Sequence, residues 1–189
     1  MFVKKEISEL NRLNIEEFKV KEKIPLVVIL DNIRSQHNVG AVFRTSDAFL
    51  VEKIYLCGIT ATPPNREIHK AALGATESVD WIYFEKTIDA VNHLKSQGFS
   101  IFALEQTQKS ISLAELSSQQ NQLSELPTPA PLALPMALVL GNEVAGISDE
   151  VMALVDGAFE IPQFGTKHSL NVSVSAGIAI WEIFKIVSK

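Results

Sequence analysis

The chain has 189 residues, of which 47% are apolar and 21% charged, and its formal net charge is −5. A chain of this length and apolar content forms about one domain that buries its own core, which excludes a disordered protein. The single cysteine, Cys57, excludes an internal disulfide framework and a cysteine-cluster metal site.

The apolar segments of the chain are short. The longest near-continuous one runs from Leu132 to Leu140 and contains Pro135, so it is too short to span a bilayer. The N-terminus carries Lys4 and Lys5 but no apolar segment of a signal peptide. We therefore predict a cytoplasmic protein that has no membrane partner.

The negative charge is unevenly distributed. Taken alone, an acidic chain argues against a nucleic-acid partner, because nucleic-acid binders usually carry a basic excess. Between Glu105 and Glu160, however, eight acidic residues accompany one basic residue, Lys109, so this segment sums to −7 and leaves +2 for the rest. A nucleic acid therefore remains a candidate partner, and we expect it to avoid the acidic segment.

Apolar runs alternate with helical patterns along the chain after an amphipathic helix within residues 4–23. The predicted strands are 26–30, 53–57, 78–84, 100–104, 136–140 and 158–161. The predicted helices are 40–49, 67–73, 87–97, 148–155 and 170–187. Residues 117–135, rich in Ser, Gln and Pro, predict a surface loop. The alternation predicts an α/β fold with a mostly parallel six-stranded sheet and helices on both faces.

The first predicted strand is followed by a polar loop and helix that contain Asn38, Gly40 and Arg44. Ligands of parallel sheets bind outside the carboxyl ends of the strands, so this loop is a candidate site. A purely local interpretation is equally open, in which Asn38 caps the helix and Arg44 pairs with Asp47.

The loop after the fifth predicted strand contains two glycines, Gly141 and Gly146, which indicate a close backbone approach. It lacks Gly-Lys-Ser/Thr and Gly-x-Gly-x-x-Gly, so it is neither a P-loop nor a dinucleotide fingerprint. A tight turn between strand and helix explains the same pattern without any ligand.

The last loop leads from Ile161-Pro162 to Ser169, a good N-cap for the final helix. That helix is too apolar to have one solvated face, so it is predicted to be buried or to form a subunit interface.

The three loops, in this order, resemble the three motifs of the TrmH (SpoU) family of SPOUT methyltransferases. The resemblance covers residues 25–187, nearly the whole chain. The matching segments are Asn38-x-Gly40 through Arg44, Leu140-Gly141-Asn142-Glu143, and Ile161-Pro162 with Ser169-Leu170-Asn171. One departure is visible: the family usually has glycine after the glutamate of the second motif, where this chain has Val144.

The resemblance implies methyl transfer from S-adenosyl-L-methionine to a ribose 2′-hydroxyl of tRNA or rRNA. It also implies a deep C-terminal trefoil knot and a homodimer whose active sites combine residues of both chains. The methyltransferase domain would cover residues 25–189, preceded by a short helical extension over residues 1–24.

The resemblance further implies roles for individual residues, with no metal among them. The catalytic residues would be Arg44, Asn38, Glu143, Ser169 and Asn171. The cofactor-binding residues would be Leu104, Glu105, Gly141, Asn142, Ile161, Gln163, Ser169 and Leu170. The RNA-binding residues are expected to be Arg34, Asn38, Arg44, Arg66, His69 and Lys70. The last three form a small basic patch after the second predicted strand, which a solvated helix start also explains.

Two other hypotheses compete with this one. A non-catalytic RNA-binding or assembly protein on the same fold would have no need of the intact set Arg44, Glu143, Ser169 and Asn171. A nucleotide-binding oxidoreductase fits the fold class, but the glycine fingerprint is missing. Arg44 itself is open to two roles, as a base that passes its proton to an RNA phosphate or as a stabiliser of the developing alkoxide.

Overall fold

The computed structural model describes residues 2–116 and 134–188, in which a parallel sheet is flanked by helices. The strands are β1 Ile24–Asp31, β2 Val51–Cys57, β3 Trp81–Phe84, β4 Ser100–Leu104, β5 Ile111–Ser112, β6 Met136–Leu140 and β7 Gly157–Glu160. The helices are α1 Ile15–Val20, α2 Gln36–Ala48, α3 Arg66–Ala72, α4 Ala75–Ser78, α5 Thr87–Ser96, α6 Asp149–Met152 and α7 Val172–Val187.

The sheet has the strand order β3-β2-β1-β6-β4-β7-β5, and every adjacent pair is parallel. The predicted α/β class is confirmed, but the predicted count of six strands is wrong, because the described residues form seven. The additional strand, β5, has two residues, and Ile111 pairs with Phe159 of β7. Two residues are too few to show a periodic pattern, so this strand exists only through its tertiary pairing.

Several predicted boundaries also move. Ser78 ends α4 rather than opening a strand, and β3 begins at Trp81. The single helix predicted within residues 4–23 is replaced by a 3₁₀ turn, Ile7–Leu10, and by α1. The break lies at Asn11, whose left-handed backbone (φ 47°) cannot continue a right-handed helix. Most of the predicted Pro-rich loop, residues 117–133, lies outside the described residues.

Helices cover both faces of the sheet, as predicted. Alternate residues of β1 point in opposite directions, so Val28 and Leu30 pack in a core with α2 and α7, whereas Ile29 packs in a second core with α5. Because both faces are covered, β1 is an apolar run rather than an alternating pattern. No helix of the described part of the chain is long and apolar enough to cross a membrane.

Helices α2 and α3 approach each other closely at Gly40. A Cβ atom at this position would lie 2.5 Å from the carbonyl oxygen of Ile68 and 2.7 Å from the Cβ of Ala71. Any larger residue would push the two helices apart. The motif glycine therefore sets the position of α3, and with it Arg66 and His69, relative to the first turn of α2.

Candidate functional site

A cavity of about 450 Å³ lies at the carboxyl ends of β4, β6 and β7 and is closed by the segment that precedes α7. Its position agrees with the general rule for ligands of parallel sheets. All eight residues predicted to bind the cofactor line it: Leu104, Glu105, Gly141, Asn142, Ile161, Gln163, Ser169 and Leu170. Residues far apart in sequence thus meet around one space large enough for a nucleoside-sized ligand.

The loop after β6 is a tight turn that forms one wall of this cavity. The backbone N–H and carbonyl groups of Asn142 and Gly146 exchange hydrogen bonds of 3.1 and 2.9 Å. A Cβ on Gly141 would lie 2.5 Å from the carbonyl carbon of Gly146, so the first glycine allows the turn to close. Gly146 is the residue of the turn that has a left-handed backbone (φ 69°). The φ of Val144 is not positive, so this position does not require the glycine that the family usually has there.

The Glu143 carboxylate joins this turn to the loop after β1. It accepts hydrogen bonds from the backbone N–H groups of Arg34 (2.9 Å) and Ser35 (3.0 Å) and from Nδ2 of Asn38 (3.0 Å). Partial burial alone would raise the pKa of this carboxyl, but the hydrogen bonds outweigh that effect and lower its pKa below the usual value. Glu143 is therefore ionised at neutral pH and acts as a hydrogen-bond acceptor.

The same chain of hydrogen bonds continues to the final helix. Nδ2 of Asn171 donates to Oδ1 of Asn38 at 3.1 Å. Oδ1 of Asn171 accepts from the backbone N–H of Ser173 at 2.9 Å, so Asn171 is the N-cap of α7. The expectation that Ser169 caps this helix is wrong. Both residue types are good caps, and the sequence alone does not distinguish between positions two residues apart.

The purely local interpretation of the first loop is also wrong. Ser35 caps α2 by accepting from the backbone N–H of Asn38 at 3.3 Å. Asp47 accepts a hydrogen bond from the Ser78 hydroxyl at 2.5 Å and forms no ion pair with Arg44. The amide of Asn38 is thus free to bridge Glu143 and Asn171, as described above.

Arg44 lies on the exposed side of α2, outside the cavity lining. Its guanidinium forms no hydrogen bond or ion pair with any residue in the described ranges. The structure therefore brings Asn38, Glu143, Ser169 and Asn171 together but leaves the Arg44 guanidinium without a partner. An exposed, unpaired guanidinium is available to a ligand that approaches from outside this chain.

The predicted RNA-binding residues fall into two groups. Arg34, Asn38 and Arg44 lie along the loop after β1 and helix α2. The backbone N–H of Arg34 also donates to Glu143. Arg66 and His69 line a second cavity beside α3, whereas Lys70 forms an ion pair of 2.8 Å with Glu67.

Sequence reasoning missed two contributors to the site. The carbonyl of Asn32 accepts a hydrogen bond from Nδ2 of Asn142 at 2.7 Å, which ties the first loop to the second. Nε2 of Gln106 donates to the carbonyl of His168 at 2.9 Å and ties β4 to the last loop. The one sequence signal for Asn32 was the Asp-Asn pair at the end of an apolar strand, and such a pair is typical of many turns.

No three His, Cys, Asp or Glu side chains of the described chain cluster in a way that could hold a metal.

Comparison with known proteins agrees with this geometry. The profile of the SpoU rRNA Methylase family matches residues 25–181, which include all three loops. The chain belongs to this family. It is 32% identical, over 172 residues, to a tRNA (guanosine(18)-2′-O)-methyltransferase of Aquifex aeolicus, covering 89% of this chain and 72% of that protein.

Solved structures of the family superimpose on the fold. A crystal structure of the A. aeolicus TrmH/SpoU tRNA modifying enzyme matches with a TM-score of 0.73 and 27% identity, over 90% of this chain and 79% of the other. An AdoMet-bound rRNA methyltransferase from Sinorhizobium meliloti matches with a TM-score of 0.74 and 25% identity, over 88% of this chain. This chain spans 58% of the length of the S. meliloti protein.

The lowered pKa of Glu143 predicts how stability depends on pH. A carboxyl whose pKa is lower in the folded state stabilises the fold fully above its unfolded pKa, about 4.3, and loses that contribution as pH falls through the folded pKa. We expect Glu143→Gln to lower the free energy of unfolding by about 1–2 kcal/mol at pH 7. The difference from the unaltered chain should shrink on acidification, measured by urea unfolding between pH 3 and 7.

The control is Glu22→Gln, which removes an exposed carboxylate that forms no hydrogen bond with a described residue. It should leave both the stability and its pH slope unchanged. A pH slope that is the same for Glu143→Gln and for the unaltered chain would contradict this account of the carboxylate.

Proposed function

We propose that this chain transfers a methyl group from S-adenosyl-L-methionine to a ribose 2′-hydroxyl of tRNA or rRNA. The observation that carries the proposal is the hydrogen-bonded chain from Glu143 through Asn38 to Asn171, which borders a nucleoside-sized cavity. The family match supports it, as do the names of the A. aeolicus tRNA 2′-O-methyltransferase and the AdoMet-bound S. meliloti rRNA methyltransferase. A non-catalytic RNA-binding or assembly protein on the same fold would have no need of this hydrogen-bonded chain.

The cavity has the chemistry that a sulfonium nucleoside requires. Apolar side chains such as Leu104 and Ile161 suit an adenine ring, and the backbone groups of the tight turn can bind its edge. Glu105 and Glu160 also line the cavity, and their carboxylates favour a positively charged ligand. S-adenosyl-L-methionine would supply an activated methyl group at this position.

The reaction is an in-line displacement, in which the ribose oxygen bonds to the methyl carbon as the carbon–sulfur bond breaks. This chemistry is largely a matter of positioning two reactants, and it also requires loss of the hydroxyl proton. We assign Asn38, Glu143, Ser169 and Asn171 to positioning. A guanidinium stays protonated near neutral pH, so Arg44 stabilises the developing alkoxide, or passes on the proton if an RNA phosphate accepts it.

The position of Arg44 supports a homodimer with composite active sites. Arg44 lies outside the cavity of its own chain and has no partner among the described residues. A second copy would allow Arg44 of one protomer to act at the donor cavity of the other. RNA would then approach along Arg34 and Arg44 and avoid the acidic segment between Glu105 and Glu160.

Helix α7 offers the surface for such a dimer. It buries Ala176, Ala179 and Ile180 in the core, yet it leaves Val174 50% and Trp181 45% exposed. Val174, Ile178 and Trp181 follow helical spacing and therefore form one exposed apolar face. Contiguous exposed apolar surface of this kind is typical of a protein interface.

The remaining parts of the proposal concern architecture and location. Residues 25–189 would form the methyltransferase domain, with residues 1–24 as a short extension. The family match supports a C-terminal trefoil knot that threads the second and third motif loops. A cytoplasmic location fits an enzyme that modifies tRNA or rRNA.

Activity is tested with RNA from cells that lack the gene, methyl-labelled S-adenosylmethionine and mass spectrometry of the nucleosides. We expect ribose-methylated nucleosides from the unaltered chain. Arg44→Ala should lower kcat by about 100-fold or more, since it removes a group that stabilises developing charge. The dissociation constant for S-adenosylmethionine should stay within about twofold, because Arg44 lies outside the cavity of its own chain.

The matched control is Lys95→Ala, at the opposite end of the sheet, where Asp156 is the one described residue that pairs with Lys95. Arg44→Lys tests the planar fork of the guanidinium through the pH–rate profile, and an unchanged rate would exclude any role that needs that fork. Methylation of a base instead of a ribose, or failure to bind S-adenosylmethionine, would overturn the proposed function.

The dimer is tested by charge at the exposed face of α7. Val174→Glu should convert the protein to monomers at micromolar concentration in sedimentation velocity, because it buries an unpaired carboxylate in the interface. Val20→Glu, on α1, is the control, since Val20 is 87% exposed and lies outside the α7 face. An unaltered protein that sediments as a monomer would contradict the proposal.

A further inference from the structure

A second cavity, of about 520 Å³, lies between α3, α4 and β3. Trp81, Pro63 and Pro64 form apolar walls, Arg66 and Glu77 supply charged groups, and His69 adds an imidazole. Such a combination of an aromatic ring, apolar walls and few polar groups is typical of a site for a small planar ligand. This cavity shares no lining residue with the first one.

The side chains of Trp81, Arg66 and His69, which line this cavity, form no hydrogen bond or ion pair within the described chain, whereas Asn65 caps α3. Trp81 packs against the core on one side, but its ring stacks on no other ring and its indole N–H donates to no described acceptor. Arg66 and His69 form no ion pair with a described carboxylate. By contrast, Lys70 is bound to Glu67. The Arg66 guanidinium and the His69 imidazole, which line the cavity, therefore remain available to a ligand.

The cavity adjoins the first motif. His37, in the first turn of α2, pairs with Glu67 of α3 at 3.3 Å. Glu67 lies between Arg66 and Ile68, both of which line the cavity. The cavity therefore lies beside the first turn of α2, the helix that also carries Arg44.

We infer that this second cavity binds one unpaired base of the RNA, with Trp81 stacking on the base and Arg66 and His69 contacting its phosphates. Single-stranded bases are recognised mainly by stacking on aromatic side chains, with arginine on the adjacent backbone. The Glu77 carboxylate provides an acceptor for an exocyclic amino group, which would favour bases that carry one. This inference rests on the proposed function only in taking RNA as the substrate.

The test compares Trp81→Leu with Trp81→Phe, using the RNA of cells that lack the gene, at one fixed salt concentration. Trp81→Leu should raise the dissociation constant for RNA, and the KM for RNA, about tenfold, since it removes the stacking ring. Trp81→Phe should keep both within about threefold. The dissociation constant for S-adenosylmethionine and kcat at saturating RNA should change in neither variant.

Because Trp81 packs partly in the core, thermal unfolding is measured for each variant. Should Trp81→Leu fail to fold, the inference is tested with Arg66→Ala, since Arg66 is exposed and its side chain forms no hydrogen bond or ion pair within the described fold. It should weaken RNA binding and reduce the slope of log K against log salt by about one. Lys95→Ala, at the far end of the sheet, should leave RNA affinity unchanged.

The outcomes separate this inference from the proposed function. A KM and a dissociation constant for RNA that Trp81→Leu and Arg66→Ala leave unchanged, in a protein that still methylates ribose, would overturn the inference and keep the function. Weaker RNA binding by these variants in a protein that methylates no ribose would support the RNA-binding cavity and overturn the function. Dissociation of a dimer by Trp81→Leu, with RNA affinity unaltered, would show that the cavity receives a second copy of the chain, which also overturns the inference.

Discussion

The hydrogen bonds that run from the Glu143 carboxylate through Asn38 to Asn171 join the loop after β6, the first turn of α2 and the start of α7. These three segments follow different strands, and the first two are joined further by hydrogen bonds from Arg34 and Ser35 to Glu143 and from Asn142 to Asn32. Because each amide both donates and accepts, moving one member leaves a partner unsatisfied. The cavity wall and the position of α2, which carries Arg44, therefore depend on one another.

This coupling explains why positioning residues and Arg44 occupy different surroundings. Glu143, Asn38 and Asn171 are each held by several hydrogen bonds, and the hydrogen bonds to Glu143 lower its pKa because they stabilise the charged form. The Arg44 side chain has no such support within the described chain, although Arg44 lies on the same helix as Asn38. A group that must meet an incoming RNA gains nothing from a partner in its own subunit, because that partner would have to be displaced first.

The charge distribution follows the same division. The acidic segment supplies Glu105, Glu143 and Glu160 to the first cavity, where a cationic sulfonium ligand is proposed. The basic residues Arg34, Arg44 and Arg66 lie on the other loop and helices, toward the proposed path of the RNA. An acidic total charge is therefore compatible with an RNA partner, since the two ligands require opposite fields at different places.

Much of the fold is predictable because β1, β6 and the helices have strong local patterns of apolar residues. The structure forms these elements at nearly the predicted positions. The features that depend on contacts between distant segments were not predicted, or were predicted wrongly. Strand β5 exists only through its pairing with β7, and the cap of α7 is Asn171 because that side chain also reaches Asn38. The cavity beside Trp81 could not be predicted either, because its walls come from three separate elements, α3, α4 and β3. Long-range contacts decide each of these features.

The most direct test of the central claim is a double-mutant cycle between Asn38→Ala and Asn171→Ala, followed through kcat/KM for RNA methylation. Residues in one hydrogen-bonded network show coupling of about 0.5–3 kcal/mol. We predict that the double variant loses about tenfold less activity than the product of the two single losses. If the single losses multiply, the two amides act independently and the account of a shared network is wrong.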